Sequence, residues 1–213
     1  MAETLVVGDV HGCRRELEKL AAKAGVDRVV LVGDLFLKGP DPRGVYDLVR
    51  RNGWEAVLGN HDLRLLLYLD GKRGRDAEAR ACVRALDEGG KSWRKWLRKL
   101  PLFVKVRPFT VVHAGLHPSG SLKKTTRWMA TTMRRWPREQ SSCPLWHEVY
   151  RGERRVVFGH DARRGLIRYE RKGEPWLIGL DTGCVYGGCL SGYLIKADHI
   201  VQVRAKRVYR RIT

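Results

Sequence analysis

Leu5-Val6-Val7-Gly8-Asp9-Val10-His11-Gly12 begins with three apolar residues and breaks into a turn bearing an acid, an imidazole and two glycines. The same design returns twice within sixty residues. Val29-Val30-Leu31-Val32 runs into Gly33-Asp34, and Ala56-Val57-Leu58 runs into Gly59-Asn60-His61-Asp62. Between these runs, Glu16 to Ala24 and Pro42 to Arg51 read as helices. A β-α-β-α-β order implies parallel strands joined by right-handed crossovers. In such sheets the carboxyl ends of the strands form the ligand crevice, so the three polar turns are expected to converge in space.

Outward from this unit the pattern changes. Leu63 to Leu69 reads as an apolar helix, followed by a turn from Gly71 to Arg75 and a helix from Ala77 to Asp87. From Lys91 to Leu100, Trp93, Trp96, Leu97 and Leu100 fall at i, i+3, i+4 and i+7, with basic residues between them. Residues 63–100 are therefore expected to form a small helical cap whose basic face is solvated surface. Strand patterns return at Leu102 to Val106 and at Thr110 to Val112, which leads into His113-Ala114-Gly115. A helix-rich stretch is expected from Leu122 to Arg135, then a strand from Arg155 to Phe158 before Gly159-His160. Further strands are expected around Ile167, Ile178 and Leu194, and from Val201 to Val208. The second half thus reads as an antiparallel or mixed sheet packed beside the first. No internal repeat and no Gly-, Pro- or Ser-rich linker divides the chain, so residues 1–213 are expected to form one domain.

Composition narrows the classes. Hydrophobic residues make up 43% and charged residues 31%, a globular balance. Lys and Arg number 42 against 23 Asp and Glu, giving a formal charge of +19, which favours an anionic partner. Met1-Ala2-Glu3-Thr4 has no basic flank of a signal peptide, and no apolar run is long enough to span a bilayer. The five cysteines show no C-x-x-C pair and read as reduced thiols. A cytoplasmic protein without a membrane or an evident protein partner is the expectation.

Asp9, His11, Asp34, Asn60, His113 and His160 each lie just beyond a predicted strand. Carboxylate, amide oxygen and imidazole together suit manganese, cobalt, iron or zinc better than calcium. Of seven histidines, four (His11, His61, His113 and His160) fall at such places, too many to assign to packing. No G-x-S-x-G and no Walker lysine loop offers a rival chemistry.

In order, the Gly8–Gly12, Gly33-Asp34, Gly59–Asp62, His113–Gly115 and Gly159-His160 blocks resemble the calcineurin-like metallophosphoesterases, and more narrowly their phosphoprotein-phosphatase branch. The resemblance implies an α/β sandwich of two mixed β-sheets flanked by helices. It implies two divalent cations, manganese or cobalt first, with iron, zinc or magnesium as alternatives. Asp9, His11 and Asp34 would hold one and Asp34, Asn60, His113 and His160 the other, with Asp34 bridging. His61 would sit beside the scissile phosphate as a general acid with a pKa near working pH. Two cations roughly 3.5–4 Å apart would activate water for direct attack on phosphorus.

The second block separates subfamilies. Protein phosphatases of this branch carry Gly-Asp-x-x-Asp-Arg-Gly, whereas this chain has Gly33-Asp34-Leu35-Phe36-Leu37-Lys38-Gly39-Pro40. Leu37 stands where an aspartate would orient the catalytic histidine, and Lys38 where an arginine would clamp phosphate. This form, with Gly59–Leu63, Val112–Pro118 and Leu180–Gly188, is similar to the symmetrical diadenosine tetraphosphate hydrolases. That resemblance implies a dinucleoside polyphosphate substrate cut into two nucleoside diphosphates. A second phosphate-binding arginine is expected from Thr131 to Trp136, Arg134 first and Arg135 second. Tyr186, Trp128 and Trp136 could stack on adenine, though each reads more readily as core. Three alternatives stay open: a protein Ser/Thr phosphatase, an enzyme removing nucleoside-tetraphosphate caps from RNA 5′ ends, and a nucleic-acid-binding module without activity.

Overall fold

The computed structural model describes residues 2–211. Its first sheet takes β1 (Thr4–Val7), β2 (Arg28–Leu31) and β3 (Glu55–Ala56) as the expected parallel unit. Helices α1 (Arg14–Ala24) and α2 (Pro42–Arg51) are the crossovers. Asp41 sets the start of α2: its side chain accepts the Gly44 N–H, and Pro42 occupies the first turn, where a missing N–H costs nothing.

Side-chain alternation builds the layers. In a strand, residues two apart share a face. Leu5, Val7, Val29 and Leu31 face one apolar cluster together with Leu17 and Leu20 of α1 and Val45 and Val49 of α2. Val6, Val30 and Val32 face a second cluster shared with Val111, Val157 and Ile178 of the other sheet. That sheet runs in the order β4 (Phe103–Val106), β5 (Phe109–Val112), β6 (Arg155–Phe158), β8 (Glu174–Gly179), β7 (Ile167–Arg171). Its far face, through Val112, Val156, Phe158 and Leu177, meets Met129, Met133, Trp146 and Tyr150 in a third cluster. The result is a β-sandwich with helices outside one sheet and an irregular segment outside the other.

Helices α3 (Asn60–Leu69), α4 (Ala77–Asp87) and α5 (Ser92–Arg98) place Leu65, Ala79, Leu86, Trp93 and Leu97 in the same cluster as α1 and α2. Trp93 and Leu97 are both fully buried, each contributing about 1.5–3 kcal/mol relative to exposure. Two of the basic residues of α5 pair with acids, Arg94 with Asp87 and Arg98 with Asp70.

Two sequence expectations need correction. The strands β9 (Cys189–Leu194) and β10 (His199–Arg204) do not join the second sheet. They return as an antiparallel hairpin against β1, giving the first sheet the order β10-β9-β1-β2-β3. The helix expected over 122–135 shrinks to α6 (Arg127–Thr131). Ala114 and Gly115, leaving β5, donate their N–H groups to the carbonyls of Ala130 and Met129, which a longer helix would need for itself.

Candidate active site

The ends of β1, β2, β5 and β6 and the first turn of α3 meet at one edge of the sandwich. Asn60 and His61 open α3 and are held by helix geometry, not by a loop. Four site residues have left-handed backbones: His11 (φ 47°), Asp34 (φ 52°), Lys38 (φ 80°) and His160 (φ 75°). Such conformations cost about 1–3 kcal/mol each in a non-glycine residue and persist only where surrounding contacts enforce them. Here the enforcement is visible. His11 N–H donates to the Asp34 carbonyl at 2.7 Å, and His160 N–H donates to Asp9 Oδ1 at 3.0 Å. Gly159 permits this last approach, because a Cβ there would overlap Asp9 Oδ1.

Three histidines are aimed in the same way. One ring nitrogen of each lies against a backbone carbonyl: His11 Nδ1 on Leu37 (3.1 Å), His113 Nδ1 on Val32 (2.9 Å), His160 Nε2 on Thr132 (2.8 Å). A carbonyl can only accept, so that nitrogen carries the proton and the other presents its lone pair to the site. His113 Nε2 and His160 Nδ1 converge on Asn60 Oδ1 at 2.9 and 3.0 Å. His11 Nε2 lies 3.6 Å from Asp34 Oδ2 and 3.3 Å from Lys38 Nζ.

Asp34 is the common member of two ligand groups. Asp9, Asp34 and His113 bring ligand atoms within 4.8 Å of one another, and so do His11, Asp34 and His61. The donor set fits divalent cations because its polar needs are unmet. Among the described residues, Asp9 Oδ2 is buried without a hydrogen-bond partner. Burial, then the charges of Asp181 and Asp34, push the Asp9 carboxyl well above its ordinary range. Burial alone takes Asp34 up to about 6 against the opposing charge of Lys38. Burial likewise holds His113 down to about 4 and His11 and His160 well below their ordinary value. Unprotonated imidazoles beside carboxylates that resist charging in isolation are what a shared cation relieves.

Burial first, then the charge of Lys38, pushes the His61 imidazole down to about 2. Its Nδ1 is buried with no partner among the described residues, consistent with the apolar Leu37 in place of a carboxylate. Its Nε2 faces Asp34 Oδ2 at 4.0 Å, and its backbone N–H donates to Asp34 Oδ1 at 2.8 Å.

A cavity of about 630 Å³ opens over these groups. His11, Asp34, Lys38, Asn60, His61, Arg134, Arg135, His160 and Tyr186 line it, while Asp9 and His113 are buried against it. Arg134 reaches the His160 carbonyl at 3.4 Å and Asp161 at 3.8 Å, whereas Arg135 is turned to the Cys143 carbonyl. Lys38 Nζ lies 5.3 Å from the centre of the Tyr186 ring. Neither Trp128 nor Trp136 lines the cavity, and Trp128 is 40% exposed instead of core.

Two further buried acids, Asp62 and Asp181, stand outside the expected set. Asp62 accepts the N–H groups of Asp34 (2.8 Å), Leu35 (3.0 Å) and Gly59 (3.1 Å), tying the β2 exit to the start of α3. Asp181 lines the cavity, and burial pushes its carboxyl up to about 7. It follows the apolar end of β8 before Gly183, the same strand-then-acid design that marks Asp9 and Asp34, so the signal was present.

A two-sheet sandwich with two Asp/His groups able to hold divalent cations is the arrangement of a metal-dependent phosphoesterase. The chain matches the calcineurin-like phosphoesterase family over residues 3–176 and belongs to it. It is 35% identical to a symmetrical bis(5′-nucleosyl)-tetraphosphatase of Dechloromonas aromatica, covering 94% of this chain and 95% of the relative. An asymmetrical bis(5′-nucleosyl)-tetraphosphatase of Oceanobacillus iheyensis is 27% identical over 96% of this chain and 93% of its own. A crystal structure described as a candidate diadenosine tetraphosphatase superposes with a TM-score of 0.82 at 35% identity, covering 96% of this chain and 94% of that one.

Proposed function

We propose that this chain hydrolyses dinucleoside tetraphosphates symmetrically, taking diadenosine tetraphosphate to two ADP. The observation that carries the reading is the pairing of a cationic cavity with a bare catalytic imidazole. At about 630 Å³ the cavity falls in the range of roughly 300–1,000 Å³ that suits nucleotide-sized ligands, more than one phosphate monoester requires. His61 lacks a carboxylate behind its Nδ1. An alkoxide leaving group needs a strong, oriented acid, whereas a nucleoside diphosphate departs as a far better anion. The charges of Lys38 and Arg134 disfavour a proton on His61, and an anionic substrate facing it would oppose them.

Asp9, His11 and Asp34 would hold one divalent cation, and Asp34, Asn60, His113 and His160 the other, with manganese or cobalt the preferred metals. When bound, such a pair supplies Lewis acidity to the phosphoryl oxygens and makes water nucleophilic at neutral pH. Lys38 and Arg134 then neutralise the flanking phosphates, with Arg135 free to join them if it releases the Cys143 carbonyl. Tyr186, which lines the cavity beside Lys38, would stack on a base. Residues 63–100 act as the helical wall beside His61. RNA 5′ ends with a nucleoside-tetraphosphate cap present the same bond, and the charge of +19 favours such a polyanion as a second substrate.

The test offers manganese- or cobalt-loaded protein diadenosine tetraphosphate, a phosphopeptide and capped RNA side by side. ADP as the sole early product of diadenosine tetraphosphate is expected. Equal ATP and AMP would move the chain to asymmetrical cleavage, and faster turnover of the phosphopeptide would make it a protein phosphatase.

A further inference from the structure

Among the described residues, 205–211 beyond β10 pair with no sheet, yet they are tightly fastened. Ala205 N–H donates to the Gly188 carbonyl at 2.9 Å, and Tyr209 and Arg210 both donate to the Val185 carbonyl, at 3.0 and 2.9 Å. Glu16 of α1, only 2% exposed, is the anchor: its Oε1 accepts the Lys206 N–H at 3.0 Å and the Tyr209 hydroxyl at 2.8 Å. This strap places Arg210 and Arg211 on the cavity wall that also holds Tyr186. Two more arginines, Arg163 and Arg164, reach the cavity from the turn after His160.

These four arginines are weakly committed. Arg210 lies 3.8 Å from Glu78, whose carboxylate already takes a 2.7 Å bond from Arg64. Arg164 lies 3.9 Å from Asp161, and Arg163 and Arg211 show no ion pair among the described residues. Half-exposed pairs at such distances contribute little, so an incoming anion can recruit these side chains at small cost. A single phosphate over the Asp/His centre is already served by Lys38 and Arg134. The additional positive charge lines the same cavity as that centre, where the further phosphates of a longer polyanion would lie.

We infer that Arg210 and Arg211, held in place by Glu16, form with Arg163 a second anion subsite for the phosphates of a polyphosphate that lie beyond the scissile bond. The strap thereby selects polyphosphates over phosphate monoesters. This rests on the tetraphosphatase reading only for the identity of the natural substrate; the subsite itself is defined by polyphosphate chemistry.

The test compares wild type with R210Q/R211Q, both loaded with manganese in excess of added phosphate. The preference for diadenosine tetraphosphate over p-nitrophenyl phosphate, as a ratio of kcat/KM values, should fall roughly 10- to 100-fold through KM, the worth of one charge-assisted hydrogen bond. Inorganic tetraphosphate should inhibit p-nitrophenyl phosphate turnover far better than orthophosphate in wild type, and lose that advantage in the variant. Glu16→Ala should reproduce the KM effect by releasing the strap, and Glu16→Gln, which keeps an acceptor oxygen, should restore it. Unchanged KM for diadenosine tetraphosphate together with unchanged tetraphosphate inhibition in R210Q/R211Q would overturn the subsite. If wild type ignores diadenosine tetraphosphate while tetraphosphate inhibition still depends on the arginines, the substrate reading fails and the subsite stands.

Discussion

Asp62→Asn should weaken the active centre without removing any proposed metal ligand. Asp62 is fully buried and accepts three backbone N–H groups, two on Oδ2 (Asp34, 2.8 Å; Gly59, 3.1 Å) and one on Oδ1 (Leu35, 3.0 Å). An amide of the same shape has one acceptor oxygen. In its better orientation it keeps the two bonds on the Oδ2 side and turns its NH2 toward the Leu35 N–H. One buried donor without an acceptor costs about 1–3 kcal/mol, and the surviving bonds lose their charge assistance. Against this, burial and the neighbouring Asp34 push the Asp62 carboxyl up to about 7, so a neutral side chain recovers part of a desolvation cost. The net expectation is a loss of about 2 kcal/mol, or a Tm lower by roughly 4–8 °C for a chain of this size. The β2 exit carries Asp34, so manganese affinity should fall by about 10- to 100-fold, the usual effect of removing a group that orients a ligand. Calorimetric melting of metal-free protein and titration with manganese would measure both. An unchanged Tm with a Kd within twofold of wild type would refute the proposed tether.

Asp34→Asn should abolish turnover and lower metal content below two ions per chain by plasma emission, since Asp34 belongs to both ligand groups. His61→Ala should leave metal content intact and reduce turnover by roughly 10²–10⁴-fold, the usual worth of a proton-transfer group, with a smaller loss for acidic leaving groups. Equal losses across a leaving-group series would count against proton donation. Asp76→Ala removes the α4 cap and the acceptor for Arg64 and Arg73, and should cost about 0.5–2 kcal/mol from the cap alone at neutral pH. The hydrogen bond from Arg64 lowers the Asp76 pKa below its ordinary 3.8 in the folded state. Its stabilisation is therefore present above that value and lost as pH falls through the lower folded pKa. The Tm gap between wild type and variant should narrow below about pH 4; a constant gap down to pH 2 would remove the ion pair from the account.

Local chemistry was legible wherever it was settled by near neighbours. Pro42 to Arg51 and Ala77 to Asp87 are helices with the expected ends, because Asp41 and Asp76 cap them within three residues. The strand-then-acid turns announced Asp9, Asp34 and Asn60, because an apolar run must be buried and its polar end must then emerge at the sheet's edge. The segment 122–135 misled because its helical pattern competes with the β5 exit for the carbonyls of Met129 and Ala130, a contest no local window records.

The sequence by itself determined the parallel β-α-β-α-β unit, the inventory of candidate ligands and the family they point to. Tertiary structure alone decided where β9 and β10 dock and that the Asp62 carboxylate ties the β2 exit to the start of α3. It also brought Asp9 to His160 across 151 residues and Glu16 to Tyr209 across 193. Periodicity and turn chemistry act over a few residues and can be read along the chain. A hydrogen bond between residues so far apart exists only once burial of the shared core has offset the entropy of closing the loop between them.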